Sequence, residues 1–248
     1  MKRLYLIILY ISILLSAQAK SFTIVIDAGH GGKDPGAVGA KLKEKDINLR
    51  VALALGGLLE ANMKDVKVVY TRKTDVFVEL NERANIANRN KADLFISIHT
   101  NASAGSKTVS GTESYTLGMH RAASNLEVAK RENSAIMLEK SYKEKYEGFD
   151  PKSSESYIIF ELMQDQYMKQ SVNLAGKIQS QFSTTAKRKN RGVQQAGFLV
   201  LRAVSMPSVL VEVGYISTPA EETYLGTKES TTQLSQSLYN AIKQYRGL

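Results

Sequence analysis

FTIVIDAGHGGKDPGAVG, residues 22–39, is the stretch on which the architecture turns. Residues 22–27 are mostly β-branched or aromatic, the composition of a short strand. Gly29, Gly31, Gly32 and Pro35 then break the run into a loop that carries His30. From Glu44 the spacing turns helical. Ile47, Val51, Leu55 and Leu58 recur on one face of a helix that ends near Asn62. A second strand is expected at 66–70, a helix through Leu80, Ala84 and Ala87, and a third strand at 94–98 that opens into His99, Thr100 and Asn101. A fourth strand is expected at 111–117. Strands alternating with helices around apolar runs predict an α/β fold with a largely parallel or mixed sheet.

Beyond this the texture changes, between about 120 and 190. Leu138, Tyr142 and Tyr146 predict an exposed helix amid dense charge, with Glu139–Lys143 and Lys140–Glu144 pairs at i, i+4 and a break at Gly148 and Pro151. A long amphipathic helix is expected through Phe160, Met163, Tyr167, Leu174, Ile178 and Phe182. Strands return at 198–201 and 208–213, and a last helix carries Leu234, Leu238, Ile242 and Tyr245. The chain thus predicts one domain over 20–248, interrupted by a helical insertion at about 120–190.

The first residues bear on location. Lys2 and Arg3 precede an apolar run over 4–15, and Ala17-Gln18-Ala19 has the A-x-A form of a cleavage site. This layout predicts a signal peptide over 1–19 and an exported protein. An uncleaved anchor is the alternative, although the run is shorter than the roughly 20 residues of a membrane span. No later stretch has the length to cross a bilayer. The 248-residue chain has 33 Lys+Arg against 24 Asp+Glu, a formal charge of +9, which cleavage lowers to +7 by removing Lys2 and Arg3. A basic exported protein points to an anionic envelope polymer rather than to nucleic acid. There is no cysteine, which excludes a thiol nucleophile, a Cys-ligated zinc site and a disulfide scaffold.

Any metal must therefore rest on His and carboxylate. His30 and His99 each stand just past a strand end, where open α/β sheets gather their sites. Glu44, in the first turn of the helix entered from the His30 loop, is a candidate third ligand. His120 lies in a polar loop. Glu212 lies within the otherwise apolar VLVEVGY, where an unpaired carboxylate is expensive to bury, so it is a candidate base for a hydrolase. Each also admits a plain reading: two structural histidines, a first-turn glutamate and a core ion-pair partner.

Five ordered segments carry a resemblance. VIDAGHGGKDPGAVG (25–39), KEKDINL (43–49), TRKTD (71–75), DLFISIHTNAS (93–103) and PSVLVEVGYIS (207–217) together resemble the zinc-dependent N-acetylmuramoyl-L-alanine amidases of the type 3 family, over about 22–245. The resemblance implies an α/β domain with a mixed, about six-stranded sheet flanked by helices, of the phosphorylase/hydrolase-like kind. It implies Zn2+ held by His30, Glu44 and His99, with Glu212 as catalytic glutamate. The implied substrate is peptidoglycan, cut at the amide between N-acetylmuramic acid and L-alanine, in the periplasm, during wall remodelling and daughter-cell separation. Asn101, next to His99, is a candidate for shaping the site, and Arg72 and Arg83 for structural ion pairs. Family members that split daughter cells carry a helical insert able to cover the zinc. The stretch 131–151 looks similar, so autoinhibition is expected, with Glu132 or Glu139 as plug and a protein activator to relieve it. A wall-binding scaffold and a zinc peptidase or deacetylase are the competing classes.

Overall fold

The computed structural model describes residues 21–120, 122–161 and 166–248. The expected signal peptide and Met163 lie outside them. Along the chain come β1 (Phe22–Ala28), α1 (Glu44–Asn62), β2 (Val66–Tyr70), α2 (Leu80–Arg89), β3 (Leu94–Asn101) and β4 (Thr112–Leu117). Next are α3 (Ala123–Asn133), a 3-10 segment (Ser134–Leu138), the single turn α4 (Tyr142–Lys145), a second 3-10 segment (Glu155–Glu161) and α5 (Met168–Thr184). The chain closes with β5 (Asn190–Ala196), the turn α6 (Leu199–Arg202), β6 (Ser208–Tyr215), α7 (Pro219–Leu225) and α8 (Lys228–Tyr245).

The six strands form one sheet in the order β2-β1-β3-β6-β4-β5. Neighbours run parallel except β4 against β6, so the sheet is mixed. Both faces are covered, which is why β1, β3 and β6 read as nearly continuous apolar runs. Ile24, Ile26, Ile96, Ile98, Val209, Val211 and Val213 face α1, α5 and α8. Each such fully buried side chain stabilises the fold by about 1.5–3 kcal/mol. Val25, Phe95, Tyr115 and Leu210 point to the opposite face, beneath α2 and the inserted segments. Strand alternation puts Asp27, Ser97, His99, Glu113 and Glu212 on that second face too. The chemistry-bearing residues therefore share one side of the sheet.

The stretch expected as one insertion divides between the two faces. Residues 123–161 lie on the polar face and carry a small core of their own, in which Phe149 meets Tyr157 at 5.2 Å and Phe160 at 6.2 Å between ring centroids. α5 instead buries Leu174, Ala175, Ile178 and Phe182 in the opposite core beside α8. Phe160 belongs to the inserted core and not to α5. The helix expected around 138–146 reduces to one turn, because Ser141 adopts φ 53 and interrupts it. The apolar run at 198–201 forms a buried turn of helix, not a strand; the edge strand is the polar 190–196, which the hydropathy pattern passed over.

Candidate metal centre

β1 leads out of the sheet at Ala28 and must pass tightly against β3. A Cβ on Gly29 would lie 2.4 Å from the His99 ring, so only glycine allows the approach. His30 follows at φ 61, a left-handed backbone that costs a non-glycine residue energy. Arg83 holds it there, its Nη2 donating to the His30 carbonyl at 2.9 Å. Arg83 Nη1 also pairs with Asp27 Oδ1 at 2.8 Å, the ion pair expected of Arg83. Arg72 differs from that expectation: it donates to the carbonyls of Ala28, Gly29 and Lys45, bracing the loop through backbone.

His30 Nδ1 lies 2.8 Å from Asp34 Oδ2, which orients the ring and turns Nε2 inward. His30 Nε2 is 3.2 Å from Glu44 Oε1 and 2.9 Å from Glu132 Oε2. His99 Nδ1 is 3.1 Å from Glu44 Oε1 and 2.9 Å from Glu132 Oε2. Glu44 opens α1, where a carboxylate is favoured by the helix N-terminus. Its Oε2 accepts from Ala37 N at 2.8 Å and its Oε1 from Thr100 N at 2.9 Å. The inward atoms of His30, Glu44, His99 and Glu132 all lie within 4.8 Å of one another, and all four side chains are buried.

The charges sustain one another. Burial alone would lower the pKa of both imidazoles. Glu44 and Asp34 instead raise His30 well above its usual range, and Glu132 and Glu44 raise His99 to about 9. Burial would likewise raise Glu132, but Arg131 and the two histidines hold it well below the carboxylate range. Glu212 goes the other way. Burial raises its pKa and the nearby Glu132 and Glu44 charges add to this, against Arg131. Neither Glu212 oxygen accepts a hydrogen bond, and Arg131 Nη2 stands 3.6 Å from Oε1. Two imidazoles and two carboxylates, convergent and buried, fit zinc by donor chemistry. The orphaned Glu212 carboxylate beside them fits a group that moves protons.

Among the residues singled out from sequence, His30, Glu44, His99 and Glu132 meet, with Glu212 adjacent. Glu139 does not join them. Its Oε1 accepts from Leu80 N at 2.9 Å and from the Tyr146 hydroxyl at 3.1 Å, so it ties the inserted segment to the start of α2. Asn101 lies at the rim, donating to Glu113 Oε2 at 3.3 Å and accepting from Arg131 Nη2 at 3.0 Å. Sequence reasoning missed Arg131 and Asp34. Asp34 follows His30 by four residues in the same loop, a spacing that could have suggested it; Arg131 carries no signal beyond adjacency to Glu132.

The protein family described as N-acetylmuramoyl-L-alanine amidase matches residues 24–244. The chain is 33% identical over 236 residues to the amidase AmiC of Escherichia coli, covering 93% of this chain but 54% of that one. It is 32% identical to Escherichia coli AmiA over 225 residues, 90% of this chain and 75% of AmiA. The crystal structure of an N-acetylmuramoyl-L-alanine amidase from Clostridium difficile superposes with a TM-score of 0.69 at 27% identity, over 92% of this chain and 98% of that one.

Proposed function

Because the chain belongs to the N-acetylmuramoyl-L-alanine amidase family, we propose that it is a zinc-dependent peptidoglycan amidase held closed by its own inserted helix. The bond cut joins the lactyl group of N-acetylmuramic acid to the L-alanine of the stem peptide. His30, Glu44 and His99 would hold the metal. Zinc, when bound, supplies Lewis acidity toward the scissile carbonyl and toward water. Glu212 accepts a proton from the attacking water on a carboxylate oxygen that no other donor occupies. It then returns that proton to the departing L-alanine nitrogen, a role served by the upward displacement of its pKa. Arg131 and Asn101 border the place where the substrate must lie.

The observation that carries the closed state is Glu132. It reaches from α3 to within 2.9 Å of both His30 Nε2 and His99 Nδ1, the atoms that face the metal. Arg131 reinforces the cover by donating to the Ala102 carbonyl at 2.8 Å. A substrate carbonyl cannot occupy the same space, so the inserted segment must be displaced, the work of an activator protein. Export to the periplasm is inferred from residues 1–19, and cell separation from the likeness to AmiA and AmiC. Among the described residues no helix is long and apolar enough to cross a membrane.

Purified sacculi incubated with the mature chain test the reading. Glu132→Ala and a deletion of 122–161 are expected to release more stem peptide bearing a new L-alanine amine. Chelator and Glu212→Ala are expected to abolish the release. Failure of every folded variant to release peptide overturns the amidase; activity that survives chelation overturns zinc; equal rates with and without the insert overturn autoinhibition. The deletion stops short of α5, because removing α5 would uncover the opposite core.

A further inference from the structure

A row of polar side chains crosses the covered face of the sheet. His99 on β3 pairs in register with Glu212 on β6, and Glu212 pairs with Glu113 on β4. Between β4 and β5 the register shifts: Thr112 faces Asn190 but Ser114 faces Val193, so Arg191 and Gly192 together oppose Glu113. A bulge of this kind re-aims a side chain. Here it carries Arg191 toward Glu113, whose Oε1 accepts from Arg191 Nε at 2.6 Å. Strands lie about 4.8 Å apart, so Arg191 sits about 10 Å from Glu212, two strands away.

Glu113 is already well supplied with donors. The hydroxyls of Tyr115 and Tyr215 each donate to it at 2.7 Å and Asn101 Nδ2 at 3.3 Å. These three donors are neutral, so Arg191 supplies the positive charge that faces Glu113 while the hydroxyls and the amide hold the carboxylate in position. Glu113 works in the other direction, fixing the guanidinium by its Nε while the Tyr215 ring lies 5.3 Å from its carbon. A guanidinium has five N–H donors, and its terminal pair suits a carboxylate held in a fork. The side chain keeps 31% of its surface exposed. It lines a cavity of about 580 Å³ that runs past Tyr115 and Tyr215 to Asn101 and Arg131 at the edge of the metal centre. The floor of that cavity belongs to the sheet and the opposite wall to α3, so displacing α3 opens it and leaves Arg191 in place.

We propose that Arg191, pinned by Glu113, is a specificity-determining residue that binds a free carboxylate of the stem peptide, about two residues beyond the scissile amide. The proposal rests on the amidase reading above. The glycan side of the bond offers only hydroxyls and amides once the lactyl acid is acylated to alanine. Free carboxylates lie on the peptide side. An extended peptide advances about 3.3 Å per residue, and an arginine side chain spans the remainder of the 10 Å.

The test is calorimetric titration of the dipeptide L-alanyl-D-glutamate, with its α-carboxylate free or amidated. The hosts are the zinc-loaded mature chain and the same chain carrying Glu132→Ala. In at least one of them the free acid is expected to bind about tenfold more tightly than the amide. Arg191→Met is expected to erase that ratio; it also takes the ion-pair partner from Glu113, so its melting temperature is expected to fall, and both proteins are titrated at a temperature at which each is folded. Arg191→Lys, which keeps the charge and loses the fork, is expected to restore part of the ratio. Equal affinity for acid and amide, discrimination that survives Arg191→Met, or no binding by either host overturns the subsite. Sacculus digestion with the same preparations separates the two ideas. Release of stem peptide without discrimination sinks the subsite alone; discriminated binding without release sinks the amidase and leaves the subsite.

Discussion

Asp34 touches no atom that faces the metal centre, yet the geometry depends on it. Its Oδ2, 2.8 Å from His30 Nδ1, fixes both the ring's orientation and the nitrogen that faces inward. Asp34→Ala is expected to weaken zinc binding about 10–100-fold, read by competition with a chromogenic chelator, with little change in the circular dichroism spectrum. Asp27 works one layer deeper. Burial raises its pKa, but Arg83 and the hydroxyls of Ser97 and Thr71 outweigh burial and hold it below the ordinary 3.8. Its charged form therefore contributes stability that is complete above the unfolded pKa and disappears as pH falls through the lower, folded one. Asp27→Asn leaves Arg83 buried without a counter-charge and should cost about 3–5 kcal/mol at neutral pH. Denaturant titrations should show that gap between wild type and variant narrowing below about pH 4; a constant gap down to pH 2 would contradict the assignment. Of this constellation the candidate ligands His30 and His99, and Glu212, were legible, since they stand as isolated polar residues at the ends of apolar strands. Asp27 was not, because an aspartate at a strand end before glycines reads as ordinary turn chemistry.

Helix α3 and the turn after it are held by apolar packing of Leu126, Val128 and Ala129, by Arg131 on the Ala102 carbonyl, by Asn133 on the Gly197 carbonyl, and by two glutamate contacts of different kinds. One is Glu132 at the metal centre. The other is Glu139, whose carboxylate caps the Leu80 amide while Tyr146 donates to it. Glu139→Ala removes the second contact and leaves the first. It uncovers a buried backbone N–H worth about 1–3 kcal/mol. That should favour the open state by about 5-fold or more, seen as a higher basal rate on sacculi and faster protease cleavage within 134–161. Glu132→Ala should raise the rate without first exposing those sites. Such struts are hard to find in a sequence. The charge pairs around 139–144 suggested a solvated helix, but Glu139 turns inward and Ser141 breaks the helical path. α3 lies within the helical insertion expected at about 120–190, but its own bounds gave no signal, because its buried apolar residues are only Leu126, Val128 and Ala129, too short a pattern to stand out. The central strands β1, β3 and β6 were legible for the opposite reason: buried on both faces, they cannot carry polar residues without a cause. β5 failed that test because it is an edge strand whose side chains remain half-exposed.

The candidate ligands come from four separate places along the chain: the β1 loop, the start of α1, the end of β3 and the end of α3. A metal bound there ties the polar face of the sheet to the segment that covers it. Because the unfolded chain does not bring these four together, binding energy adds to folding energy. At free zinc about 100 times the dissociation constant the gain is about 2.7 kcal/mol, which for a domain of this size raises the melting temperature by roughly 5–10 °C. Differential scanning calorimetry should record that rise for the mature chain and its reversal by chelator. If Glu132 is a fourth ligand in the closed form, Glu132→Ala should show a smaller rise at the same free zinc, since its affinity is lower. If Glu132 merely packs over a metal held by His30, Glu44 and His99, the two rises should match, and only the rate on sacculi should distinguish the proteins. The comparison therefore reports whether the closed state is locked by coordination or by packing. In the first case zinc itself strengthens the lock, and an activator must break a metal–carboxylate contact to open the site.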